Sequence, residues 1–438
     1  MRILVTGLCT LHWGRLEYGN VGNYYIVKPL FRELHRVFPR AEIFTTFQMT
    51  EAFQKREQIK CLPMEWFYSW KKDDLNNARK EYEITQKYGR TIPPDHLTHW
   101  LKCIKDVDLL LDVSGDMWGD NAEHVGHDRF LVDLYKVRSA QLMGKKTVLF
   151  AVTPGPFQEN STKKFAMEVF SGFSLIVNRE PTSTKNMKEW GFDTRRMMDF
   201  ACPAFLYTPC LTQADQTSLE LDNPALYGKR KKPICGFTLG GFNLPIGPYD
   251  MWPRDEGQYT VFAQTIEHII NSQKMNVILF SHTNGFELPP HFRLINGRDY
   301  CILEQLYNII LRRGRIEDQN SLSIIPKPYL PAQLKTLIGR FDMLVTGRVH
   351  ASVAGISQSV PTIFINYETS FIPSTKMYGF ANLAGVGEYV CDPRDGKDLM
   401  RKIDLCAQNR EAIRQNLQVS IRNVKERAHN GFDQLNKI

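Results

Sequence analysis

The chain is 438 residues long, 43% hydrophobic and 23% charged, with a formal net charge of +8. A single core stops growing at roughly 250–300 residues, so two domains are expected, and the apolar content excludes a disordered chain. The basic excess is mild and its densest run is only Lys229 to Lys232. That argues against nucleic-acid binding and suits an anionic small substrate or a weak pull toward an anionic membrane surface.

The opening Met1-Arg2-Ile3-Leu4-Val5-Thr6-Gly7 reads as a strand running into a turn, not as a secretory leader. No stretch approaches the roughly 18 apolar residues of a membrane span. The nine cysteines show no C-x-x-C spacing. Together these favour a reducing compartment over a disulfide framework or structural zinc. The expected location is cytoplasmic, at most peripheral at the inner face of a membrane.

Short apolar runs then recur along the chain. In the first half they are 3–6, 42–45, 109–113, 147–152 and 174–177; in the second, 234–238, 276–280, 321–325, 343–346 and 362–365. Runs of this length without alternation predict strands buried on both faces, as in parallel sheets. Helical spacing fills the intervals, for example 128–143, 162–172, 259–272 and 332–339. Strand alternating with helix predicts doubly wound α/β domains. Residues 1–206 form the first and 234–394 the second. Residues 207–233, rich in Thr, Gln, Asp, Pro and Lys without a period, are read as a linker. The charged, helical 395–438 is expected to pack back across both domains. Two Rossmann-like domains facing a cleft, with a returning C-terminal helix, describe the GT-B-like architecture. Ligands in such sheets bind beyond the carboxyl ends of the strands.

Candidate functional residues sit at those strand ends. After the first strand, Gly19-Asn20-Val21-Gly22-Asn23 places two glycines where backbone can approach a ligand, although Gly-Asn turns are common. Next comes Asp112-Val113-Ser114-Gly115-Asp116, continuing to Asp120. Asp116 and Asp120 either contact sugar hydroxyls or build a loop. Arg179 follows a strand and precedes a helix; it either holds an anion or pairs with Glu180. His282 ends a further strand, where a lone histidine is more often structural. The strongest signal is Gly347-Arg348-Val349-His350, in which glycine allows a tight turn into a helix closing near Ser359. Arg348 suits bidentate carboxylate or phosphate binding, and His350 suits proton transfer near neutral pH. Lys376 follows the last apolar run and reaches the same cleft or lies solvated on a helix. Phosphate-loop, zinc-protease and nucleophile-elbow motifs are missing from the sequence.

The order of Gly19-Asn20-Val21-Gly22, Ser114-Gly115-Asp116, Pro154-Gly155-Pro156, Arg179-Glu180, Gly347-Arg348-Val349-His350 and Pro361 resembles the polysaccharide pyruvyl transferase family. The resemblance runs over most of the chain, and the G-R-x-H segment is its specific part. It implies transfer of pyruvate from phosphoenolpyruvate to a free or lipid-linked sugar, forming a ketal in cell-envelope polysaccharide biosynthesis. It implies His350 as general acid or base and Arg179, Arg348 and Lys376 as donor-binding groups, with Gly347 as the turn, residues 1–206 as the acceptor side and 234–394 as the donor side. No cofactor or metal is needed for that scheme. Asn23 stands where the family commonly has aspartate, which moves any acid or base role away from that loop. The rivals are a nucleotide-sugar glycosyltransferase of the same architecture, with its pocket near Gly240, Gly241 and His282, and a non-catalytic glycan- or anion-binding relative.

Overall fold

In a computed structural model, residues 1–10, 14–244, 251–287, 293–366 and 376–438 are described. The chain forms two compact units. The first comprises Met1–Leu16, Val27–Pro203 and Glu426–Ile438; the second comprises Glu17–Ile26 and Ala204–Lys425.

The first unit is built on strands β1 (Arg2–Thr6), β2 (Glu42–Thr45), β3 (Ile59–Cys61), β4 (Leu109–Asp112), β5 (Lys146–Val152), β6 (Leu175–Asn178) and β7 (Met197–Asp199). They form one seven-stranded sheet in the order β3-β2-β1-β4-β5-β6-β7, parallel throughout. The central β4 reads Leu-Leu-Leu-Asp and is buried along its whole length, as a strand covered on both faces must be. Thr6 pairs with Asp112 in register, so the segments following β1 and β4 leave the sheet side by side at the point where strand order reverses. An aromatic cluster packs under the loop after β4, with Trp118 edge-on to Phe130, Phe157 and Phe173.

The second unit carries β8 (Ile234–Thr238), β9 (Asn276–Leu279), a two-stranded antiparallel ribbon of β10 (Asn284–Phe286) and β11 (Leu294–Asn296), then β12 (Leu322–Ile324), β13 (Met343–Thr346), β14 (Thr362–Ile365) and β15 (Val390–Cys391). Its six-stranded parallel sheet has the order β12-β9-β8-β13-β14-β15. Strand order reverses between β8 and β13, where Thr238 and Thr346 are register partners.

Some local details differ from the sequence reading. Strands β3, β7 and β15 are only two or three residues long and lie at sheet edges, where one polar or exposed residue suffices to break an apolar run. Residues 207–233 contain two helices, Gln213–Asp222 and Pro224–Tyr227; the first starts at a Thr212–Asp215 capping box, a local hydrogen-bond pattern rather than a hydrophobic period. The helix after Gly347 runs Val349–Ile356 and stops before Ser359, which adopts a positive φ of 63°. Residues 395–438 form helices Gly396–Gln408 and Arg410–Asp433. The end of the second belongs to the first unit, where the Phe432 ring centroid lies 4.6 Å from that of Phe150. No helix among the described residues is long and apolar enough to cross a membrane.

One buried polar cluster lies at the carboxyl end of β4. Asp112, Ser114, Arg129 and Asp133 are all essentially inaccessible. Asp112 accepts from the Ser114 amide at 3.0 Å, and Asp133 faces Arg129 at 3.7 Å. Burial pushes the Asp112 carboxyl up to about 6 and Asp133 well above its usual range, against the pull of Arg129. An acid raised in this way keeps its proton longer in the folded chain than in the unfolded one, whose Asp pKa is about 3.9. The folded state therefore binds more protons between about pH 4 and 6, and stability falls as pH rises through that window. Asp112→Asn is expected to remove a part of that pH dependence on the order of 3 kcal/mol, since each tenfold difference in proton affinity between the two states is worth about 1.4 kcal/mol. Urea melts of both proteins from pH 4 to 7 measure it; an unchanged slope would discount Asp112 as its source.

Candidate functional site

The strand β13 ends at Thr346, whose Oγ1 accepts from the Arg348 amide at 3.0 Å. This short turn fixes Gly347 and delivers Arg348 as the N-cap of Val349–Ile356. Gly347 must lack a side chain because Asn243 occupies the space a Cβ would fill. Asn243 donates from Nδ2 to the Gly347 carbonyl at 3.1 Å, while its Oδ1 accepts from the Gly240 amide at 2.8 Å. Asn243 thus ties the segment after β8 to the turn after β13. The Arg348 guanidinium lies over Gly240, where a Cβ would come within 2.5 Å of it.

Arg348 is held by a carboxylate. Its Nε donates to Asp299 Oδ2 at 3.0 Å and its Nη2 donates to Oδ1, a bidentate pair in which Asp299 is 0% exposed. Asp299 sits in the first turn of Arg298–Arg313, where the helix dipole favours a negative charge. Its Oδ2 also accepts from the His282 amide at 3.3 Å, and its own amide donates to Thr283 Oγ1 at 3.2 Å.

His282 is 2% exposed, and its Nε2 has no hydrogen-bond partner among the described residues. Burial, reinforced by the charges of Arg348 and His350, holds the imidazole well below its usual range, so the ring is neutral at pH 7. Its ring lies edge-on to Tyr25 at 5.7 Å; Tyr25 stacks on Tyr207 at 5.1 Å, and the buried Lys335 Nζ sits 5.3 Å from both tyrosine rings.

The glycine loop joins this array. Asn20 forms an antiparallel bridge with Thr283, and Asn284 Nδ2 donates to the Tyr18 carbonyl at 3.1 Å. Gly22 then lies directly against His350: a Cβ there would be 2.6 Å from the His350 Cβ and 2.7 Å from its Nδ1. Asn23 is in the first turn of Val21–Val37, with its amide donating to the Asn20 carbonyl at 3.0 Å. Lys376 opens the helix Lys376–Leu383, whose Phe380 ring lies 6.5 Å from the His350 imidazole. The residues 367–375 that precede it lie outside the described residues.

Three further candidates belong to the first unit. Arg179, 2% exposed, donates from Nε to Thr153 Oγ1 at 2.8 Å; its Nη2 is 3.8 Å from Asp116, and its Nη1 lies over Gly115. Asp116 is thus an ion-pair partner of the buried Arg179. Glu180 turns instead to the Thr182 amide, at 2.7 Å, and the Ser183 hydroxyl. Asp120 accepts from the Gln158 amide, and its own amide donates to the Pro156 carbonyl at 2.9 Å, so it fastens two loops together. Among the described residues, Glu123, His127 and Asp128 alone bring three potential metal-binding groups within reach of one point, and Glu123 and His127 are exposed.

A family model for polysaccharide pyruvyl transferases matches residues 20–369, which take in the glycine loop from Asn20 onward, Arg179, Arg348 and His350. The chain belongs to the polysaccharide pyruvyl transferase family. Its fold is GT-B-like. A glycosyltransferase from Rickettsia africae superposes with a TM-score of 0.54 at 12% identity, covering 97% of each chain. The Anabaena protein HepE, in complex with UDP, gives 0.54 at 10% identity over 99% of this chain and 97% of that one. A putative UDP-N-acetylglucosamine 2-epimerase from Listeria monocytogenes gives 0.53 at 11% identity over 95% and 90%. At such identities the likeness concerns the fold alone.

In this pyruvyl transferase family member, the second unit gathers Asn20, Gly22, Asn23, His282, Gly347, Arg348 and His350 around one strand-order reversal. The sequence places the glycine loop in a separate, acceptor-side domain, because it follows the first strand directly; the structure packs it with the second unit instead. Asp299 and Asn243 carry no signal in the sequence alone. An acid in a first helical turn reads as an ordinary helix-start residue, and Asn243 follows glycines as turn residues commonly do. The partners that give them meaning are far away along the chain.

Proposed function

We propose that the protein is an enzyme transferring the pyruvyl group of phosphoenolpyruvate to two hydroxyls of a sugar in a polysaccharide or glycan precursor, forming a ketal and releasing phosphate. Within a chain of this family, the observation that carries the reading is His350 seated on Gly22 beside Arg348. The reaction asks for a proton on the methylene carbon of the enol phosphate, which becomes the methyl group. A sugar hydroxyl adds to the neighbouring carbon and loses its proton. The carbon–oxygen bond to phosphate then breaks, and a second hydroxyl closes the ring with loss of its own proton. His350 is assigned the proton transfers, work for which a positioned imidazole is suited near neutral pH. Arg348, Arg179 and Lys376 are assigned to the donor's carboxylate and phosphate, where fixed cations stabilise developing charge without reorganising. Asn20, Asn23, Asp116 and Asp120 are assigned to the acceptor side or its loops. His282, neutral and buried beside Arg348 and His350, is better suited to shaping the donor bed than to exchanging protons with the acceptor.

The decisive experiment supplies phosphoenolpyruvate with a panel of free and lipid-linked glycans and measures phosphate release beside product mass. Phosphate released in step with pyruvylated glycan is the expected result. A glycosylated product from nucleotide sugars, with phosphoenolpyruvate inert, would replace this reading by a glycosyltransferase; binding without turnover across the panel would replace it by a non-catalytic glycan- or anion-binding role.

A further inference from the structure

We propose that Asp299 is the positioning residue of this site: it clamps the Arg348 guanidinium in one orientation and couples it to the strand-end loop carrying His282. Four contacts converge on this one residue. Its carboxylate receives Nε and Nη2 of Arg348 and the His282 amide, and its own amide is held by the Thr283 hydroxyl. The carboxylate is completely buried, while the Arg348 side chain keeps 23% exposure. The ion pair is therefore anchored at its acidic end and open at its basic end. The fork of the guanidinium fixes what is presented. Nε and Nη2 lie along one edge and face Asp299, which leaves the Nη1 edge outside this pair for an anionic ligand. Gly240 lies beneath the guanidinium and Gly297 beside Thr283, each at a spot where a Cβ would collide, so the array is close-packed as well as hydrogen-bonded.

The clamp reaches further than Arg348. Thr283 is bridged to Asn20, and Asn284 binds the Tyr18 carbonyl, so the loop locked by Asp299 is also the loop on which the glycine segment sits. That segment carries Gly22 against His350. One buried carboxylate therefore sets the geometry of Arg348 directly and supports the seat of His350 through three consecutive loop residues. Arg348 also enters the reaction already paired on one edge. Because releasing it would strand a buried carboxylate, it meets the donor as a fixed hydrogen-bond donor rather than as a cation that changes partners.

The test combines kinetics with a signal that does not need turnover. The kinetic arm rests on the pyruvyl-transfer reading. In it, Asp299→Asn is expected to lower kcat about 10- to 100-fold while changing the KM for phosphoenolpyruvate less than about threefold, the pattern of lost positioning. In an Arg348→Lys background the same substitution is expected to cost no more than about twofold. Effects that multiply independently would overturn the proposal, as would a lowered melting temperature with unchanged kcat. In the second arm, the Arg348 Nε–H resonance of ¹⁵N-labelled protein, assigned by its loss in Arg348→Lys, is expected to exchange slowly and to shift in Asp299→Asn; an unmoved signal overturns the clamp. Should Asp299→Asn fail to fold, Asp299→Glu keeps the charge, displaces it by one methylene, and is expected to move both kcat and the signal. A wild-type protein without transfer activity would sink the reading of function, and the resonance would still decide the role of Asp299.

Discussion

Replacing His350 by alanine is expected to lower turnover with phosphoenolpyruvate and acceptor about 10³-fold, within the range that a positioned general acid or base contributes. The fold should survive. His350 is in the first turn of its helix and only partly buried, and its side chain rests on the backbone of Gly22 rather than filling the core. Thermal denaturation should therefore change little, and donor binding, read by calorimetry, should be retained through the remaining cations. The discriminating quantity is kcat at saturating donor. Wild-type turnover in this variant would remove His350 from the chemistry and leave the site as an anion-binding array.

The second large effect is expected at Gly22. Adding one methyl group, Gly22→Ala, would put a carbon 2.6 Å from the His350 Cβ, closer than carbon atoms tolerate. The contact is with a Cβ, not with the tip of a flexible chain, so rotating the imidazole does not relieve it. One of two helix starts must shift instead, Val21–Val37 or Val349–Ile356. A displacement of about 1 Å at a catalytic group can cost 10²-fold in rate, and that is the size expected here. The accompanying loss of stability should be about 1–3 kcal/mol, typical of overpacking. Gly22 has no positive φ, so alanine is acceptable to its backbone and the effect would be one of space. Full activity in Gly22→Ala would mean that His350 does not need its present seat.

These two residues also show how far the sequence can be read. The ten strands expected from apolar runs are present because burial on both faces leaves a signature that needs no partner to be recognised. Leu109 to Leu111 is apolar on both faces of the sheet. The short strands Ile59–Cys61, Met197–Asp199 and Val390–Cys391 lack that signature. Gly347-Arg348-Val349-His350 is legible for a similar reason, since a glycine turn, an anion binder and a proton carrier are adjacent in the chain. What surrounds it is not. Asp299 acquires its meaning from Arg348, 49 residues later, and Gly22 acquires its own from a histidine in the other half of the sequence. No local spacing encodes either relation. Arg179 illustrates a choice that the sequence leaves open. Its neighbour Glu180 allows a surface pair as readily as an anion site, whereas in the fold the arginine meets Thr153 and Asp116 and the glutamate meets the following helix start.

The assignment of Glu17–Ile26 to the second unit, and of Glu426–Ile438 to the first, has a consequence for synthesis on the ribosome. Tyr25 emerges early, but the rings it packs against, Tyr207 and His282, are translated much later. The first unit in turn waits for Phe432 and Leu435, which are buried and follow all of the second. The first unit therefore cannot finish folding until all of the second has been made. Vectorial, unit-by-unit maturation is closed to this chain, and the glycine segment that seats His350 must remain undocked through most of translation. Gly22 can meet His350 only after the Gly-Arg-Val-His turn has emerged, so a nascent chain that has not reached this turn carries the glycine segment without its partner.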